Sequence, residues 1–181
     1  MVPLGCRFAF AVAFLISLLQ SQAALGAEPA PPSDTEITRF IAVENGLVTD
    51  PGRAEAVCAA LRRDRESDEG SQDLAVIGRK VEADPIFGPL VRRQGLTGRR
   101  FAEISAQIAG ALLGLGMADS MDAAERAKGK PAKNREVVLQ RSPEARSVAP
   151  RQAELVAALE AVDALCGESE EDEEPEDGGE G

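Results

Sequence analysis

The sequence predicts an all-α protein: one helical bundle of five or six helices over residues 33–167, preceded by a leader and followed by an acidic tail. Three observations carry this. Apolar residues recur at i, i+3, i+4 and i+7 through much of the chain. Most such runs begin at a helix-capping residue. Alternating runs of the kind that build strands are nearly missing.

Ser33-x-x-Glu36 is a capping box, and Ile37, Phe40, Ile41 and Val48 follow it at roughly helical spacing, with Asn45-Gly46 expected to end or fray that helix. Asp50-Pro51 starts the next, Asp as N-cap and Pro in the first turn. Ala54, Val57, Cys58 and Leu61 form its apolar face while Glu55, Arg62 and Arg63 point outward. After the loop Ser67–Ser71, a third helix carries Leu74, Ile77 and Val81. Asp84 caps a short helix bearing Ile86, Phe87, Leu90 and Val91, which Gly95 ends.

Thr97 introduces the most apolar segment, Phe101 to Ala118. Phe101, Ile104, Ile108, Leu112 and Leu115 form one stripe; beside it runs a row of small residues, Ala102, Ala106, Gly110, Gly114 and Ala118. Such a row lets a neighbouring helix approach closely, so this segment is expected at the centre of the bundle. Glu103, Ser105 and Gln107 leave only Ile108–Ala118 free of polar side chains, too short to cross a bilayer. Residues 119–147 are weakly patterned and read as a weakly ordered, partly basic linker, with a short docked turn around Val137, Val138 and Leu139. The last helix places Leu155, Ala158, Leu159, Val162 and Cys166 on one face.

Both termini read differently from this body. Residues 1–27 have the form of a secretory signal peptide: Arg7, then the apolar run Phe8–Leu19, then small residues up to Ala27. Export to a periplasm or the exterior follows. Removal of those 27 residues leaves 154, enough for one domain, whose first residues 28–32 are a flexible, proline-rich lead. Residues 168–181 form a tail with nine acids and no base, of a composition that stays disordered. The tail accounts for most of the net charge of −11, so residues 1–167 sum to only −2. A nearly neutral body argues against nucleic acid as a partner, since phosphate binding needs a basic surface.

Composition also limits the chemistry. With no His, Trp or Tyr, histidine-dependent nucleophilic catalysis and histidine-ligated zinc are excluded, and six Phe, three of which lie in the leader, are a poor basis for stacking platforms. Acid–base work would rest on carboxylates or on four Lys; Glu103, the one acid in the central helix, is the catalytic candidate. No metal site and no cofactor is expected. Asp64-x-Glu66-x-Asp68 resembles the start of a calcium loop, but Glu69 and Ala75 stand where such a loop needs Gly and a bidentate Glu. Gly110-x-x-x-Gly114-x-Gly116 lacks the preceding strand and the following Lys-Ser/Thr of a phosphate loop.

Two cysteines remain after the leader, Cys58 and Cys166, each on the apolar face of its helix, and a disulfide between them is expected in an oxidising compartment. Arg92, Arg93, Arg99 and Arg100 bracket the turn before the central helix and form a candidate anion site. The functional expectation is a non-enzymatic exported protein that binds a protein or a small apolar ligand. The alternatives are a small carboxylate-dependent enzyme and a protein of the membrane surface, the latter opposed by the acidic tail.

Overall fold

The computed structural model describes residues 29–50, 52, 54–66 and 73–166, with backbone only for 61–66. The leader and the acidic tail lie outside these residues. The fold is all-α, with no strand among the described residues. In chain order the helices are α1 (Asp34–Val48), α2 (Ala54–Glu66), α3 (Leu74–Ala83), α4 (Phe87–Arg93), α5 (Gly98–Ala127), α6 (Asn134–Arg141), α7 (Pro143–Val148) and α8 (Gln152–Cys166), a 3-10 turn at Ala149–Arg151 leading into α8.

Local chemistry fixes most of the starts. The Ser33–Glu36 capping box is formed in both directions. The Asp73 carboxylate accepts from the Ala75 N–H at the head of α3, and Asp84 accepts from the Ile86 and Phe87 N–H groups at 2.7 and 2.9 Å. Thr97 Oγ1 accepts from the Arg100 N–H at the head of α5. Each satisfies helix-end donors that would otherwise go unpaired. Gly95, at φ 70°, takes the left-handed conformation that turns the chain from α4 into α5.

The spine is α5, 30 residues and about 45 Å long. Ile104, Ile108 and Leu115 on its inner face are fully buried with Ile37, Phe40, Val91, Val148 and Leu155, and the rings of Phe40 and Phe101 stack at 5.4 Å. Helices α1 and α8 lie side by side and parallel. Arg151 at the start of α8 bonds Asp34 and Thr38 at the start of α1, while Val162 near the end of α8 packs with Leu47. At that far end the Cys58–Cys166 disulfide joins α2 to the end of α8, across 108 residues.

Several details differ from the sequence reading. Helix α1 runs through Asn45-Gly46 to Val48, and α5 continues nine residues past Ala118 to Ala127. The segment 119–147, expected as a weakly ordered linker, carries the end of α5, then α6 and nearly all of α7. The start of α6 has no capping side chain of its own. Asp122 on α5 supplies one, accepting from Asn134 N and Nδ2 at 2.8 Å and from Arg135 N at 3.1 Å, a long-range cap that local pattern does not reveal. Residues 29–32, expected as a flexible lead, are tied down: Pro32 is fully buried and the Pro29 and Ala30 carbonyls are held by α5.

Candidate functional site

The first turns of α5 carry the densest set of polar contacts in the described structure. They begin with a close crossing of α3 over α5. A Cβ at Gly78 would lie 2.5 Å from the Arg99 Cα, and one at Gly98 would collide with the Gly78 carbonyl oxygen, so both positions require glycine for their space. The Gly98 N–H donates to a Glu82 carboxylate oxygen at 2.8 Å, adding α3 to the set of groups that hold this helix start.

One turn on, Arg100 donates to both oxygens of Glu36, at 2.7 and 3.1 Å, and to Glu103 at 3.3 Å. Glu36 thus serves twice, in the capping box of α1 and as the partner that ties α1 to α5. The Arg100 guanidinium, aided by the Ser33 N–H and hydroxyl and opposed by partial burial, holds the Glu36 carboxyl down to about 2. Arg99 reaches the other Glu103 oxygen at 2.9 Å. Both oxygens of Glu103 are therefore engaged by guanidinium groups, an arrangement suited to fixing a helix start rather than to moving a proton.

The remaining contacts of this cluster hold the proline-rich segment before α1. Arg100 Nη2 donates to the Ala30 carbonyl, and Gln107 Nε2 donates to the carbonyls of Pro29 (3.0 Å) and Ala30 (3.2 Å). Prolines lack the N–H groups that sheet pairing uses but keep strong carbonyl acceptors, so donors on a helix are the means to hold them. Gln107 Oε1 is buried and has no hydrogen-bond partner among the described residues.

Beyond Gln107 the outer flank of α5 turns apolar. Met117 and Met121, one turn apart, are 59% and 53% exposed. Val137 on α6 is 40% exposed. Arg135 on α6 reaches across to Asp119 on α5 at 2.6 Å. Gly116 has open space around it. By length and composition α5 also qualifies as a membrane span, with mean hydropathy 1.4, although 44% of its most apolar window is buried in the fold.

The sequence candidates are distributed as follows. The disulfide is formed between Cys58 and Cys166. Of the four arginines read as an anion site, Arg99 and Arg100 are paired with carboxylates and Arg92 donates to the Glu82 carbonyl at 3.1 Å; Arg93 is exposed. Three of these four groups are thus already engaged within the chain: Glu103, one turn on, meets Arg99 and Arg100, the fold brings Glu36 to Arg100, and the Glu82 carbonyl takes Arg92. In the small-residue row, Ala102 and Ala118 are buried while Ala106, Gly110 and Gly114 are half-buried. The closest helix approach lies elsewhere, at Gly78 and Gly98. An isolated Gly in the apolar run Leu74–Val81 was the available signal.

Two buried acids were not anticipated. Asp122 is the cap described above; burial opposes its ionisation, but the N–H groups of Asn134 and Arg135 and the Asn134 amide hold its pKa below the ordinary value. Glu44 on α1 is buried among apolar residues, and burial alone pushes its pKa up to about 7. No group of three or more acidic or cysteine side chains placed to hold a metal is found among the described residues. Comparison with protein-family models, curated proteins and solved structures finds no match to this chain.

Proposed function

We propose that this chain is an exported, non-enzymatic helical protein whose outer α5 flank binds a protein partner. The observation that carries the reading is that Met117, Met121 and Val137 are the large apolar side chains left exposed among the described residues, the two methionines one turn apart on α5. Exposed methionines in a group offer a flexible apolar surface that adapts to a partner. The form of residues 1–27 and the disulfide support export to an oxidising compartment.

Replacing Met117 and Met121 by Ser tests the reading. Binding in the exported fraction is expected to fall at least tenfold with unchanged helicity; unchanged binding would refute it. The enzymatic alternative rests on Glu103, whose oxygens are already paired with Arg99 and Arg100. Glu103→Gln is expected to leave binding intact, whereas an enzyme would lose turnover.

One observation favours a second reading. The exposed methionines are followed by Arg126, Lys128, Lys130 and Lys133 at the end of α5 and the turn after it, a sequence of apolar and basic groups suited to an anionic membrane surface. Flotation with liposomes containing about one-third anionic lipid separates the two readings. The acidic tail opposes adsorption, so no flotation is expected at moderate salt.

A further inference from the structure

We propose that Met117 and Met121 form a paired, reversible oxidation site, at which hydrogen peroxide turns the exposed face of α5 from apolar to polar while the fold stays intact. Three observations lead to it. Methionine is among the residues most often buried, yet both methionines that follow the leader are on the surface, 59% and 53% exposed. They stand one turn apart, so their thioethers share one face of the helix. That face is otherwise built of small groups. Ser120 and Ala124, three residues on from each methionine, are small and exposed, and a Cβ at Gly116 would meet nothing within 4 Å. Peroxide therefore has open access to both sulfurs.

The rest of the chain offers little competition for an oxidant. It has no His, Trp or Tyr, Cys58 and Cys166 are joined as a disulfide, and Cys6 lies in the leader. The two thioethers are thus the readily oxidised side chains of the exported chain. In the reaction a sulfur lone pair attacks one peroxide oxygen. The S–O bond forms as the O–O bond breaks, and a proton passes to the departing oxygen, which leaves as water. Sulfur gives up two electrons and becomes a sulfoxide. A dithiol reductase reverses the step: the sulfoxide oxygen leaves as water and the two thiols end as a disulfide, with one enzyme for each sulfoxide epimer. The inner face of α5, with Ile104, Ile108 and Leu115, is fully buried and holds no methionine, so the new oxygen enters solvent and not the core. The chemistry stands on exposure alone; as a control on partner binding it rests on the reading above, in which this face is the binding surface.

The test uses the full exported chain with its disulfide intact, hydrogen peroxide as the oxidant and a phenyl matrix as the apolar probe. The expected result is a gain of about 32 Da, mapped by proteolysis and mass spectrometry to Met117 and Met121, at a rate within about fivefold of that of free N-acetylmethionine amide. Helicity should be unchanged and the thermal midpoint should move by no more than about 2 °C, while retention on the phenyl matrix falls. Treatment with sulfoxide reductases of both epimer specificities should restore mass and retention. A Met117→Leu, Met121→Leu variant should gain no mass and elute at one position before and after peroxide. Slower oxidation than that, loss of helicity on oxidation, or unchanged retention of the oxidised chain would each overturn the proposal. Failure of the binding reading is separately visible. If the sulfoxides form and retention falls, but the Met117→Ser, Met121→Ser variant still binds its partner, the oxidation site stands and its control of binding is refuted.

Discussion

The two ends of the α1–α8 pair are held by different means. At the end where α1 begins, a broad apolar core meets a polar network: Phe40 stacks on Phe101, Arg100 ties α1 to α5, and Arg151 ties the start of α8 to α1. At the other end, Leu47, Val57 and Val162 form a small buried cluster, and the Cys58–Cys166 bond closes it. A small cluster of this kind cannot by itself hold α2, and a covalent link takes over where apolar area runs short. One end is therefore set by packing and charge, the other by oxidation.

Removing the disulfide should have the largest effect on this contrast. Opening a link across 108 residues with Cys58→Ser and Cys166→Ser is expected to cost about 4–5 kcal/mol on chain-entropy grounds, read by urea unfolding. Hydrogen exchange should show α2 and the last turns of α8 opening first, with Ile104 and Ile108 still protected. Equal loss of protection at both ends would break the contrast.

Glu44 gives the next effect. Its pKa is raised from 4.5 to about 7 by burial, so the folded state favours the protonated form. The sign follows: its contribution is most favourable below pH 4.5 and is lost as pH rises towards 7, by an amount on the order of 3 kcal/mol. Glu44→Gln should flatten stability between those pH values, and an unchanged slope would show that the group is solvated or paired.

Smaller effects are expected at the head of α5. Gly78→Ala should cost about 1–3 kcal/mol in thermal unfolding, because the added methyl meets the Arg99 backbone. Glu36→Gln should cost about 1–2 kcal/mol at neutral pH. Its lowered pKa makes the pair's contribution complete above about pH 4.5 and lost as pH falls towards 2, so the variant should also blunt acid unfolding.

How much of this could be read from the chain depends on the range of each interaction. The capping box at Ser33 and the caps at Asp84 and Thr97 are local chemistry and were legible, as were the buried faces of α1 and α8, Val57 and Cys58 on α2, and the pairing of two cysteines; the side chain of Leu61, expected on the same face of α2, lies outside the described residues. What escaped was long-range. Asp122 caps a helix twelve residues away, so α6 carried no local start signal. Arg100 looked like part of an open basic site until Glu36, 64 residues away, met it. Glu44 lies on the buried side of α1, where a carboxylate is not expected, and the proline-rich lead looked free because its carbonyls find donors only on α5. The methionine flank is visible only after α5 has been given an inside and an outside.

We propose that the α5 flank carries the binding function of an exported protein. Native mass spectrometry of the protein from its own exported fraction, without reductant, tests it most directly when run beside the Met117→Ser, Met121→Ser variant. The expected result is a processed, disulfide-bonded chain with a protein partner bound, and loss of that partner in the variant. A bare chain in both samples, or a partner retained equally by both, would contradict the claim.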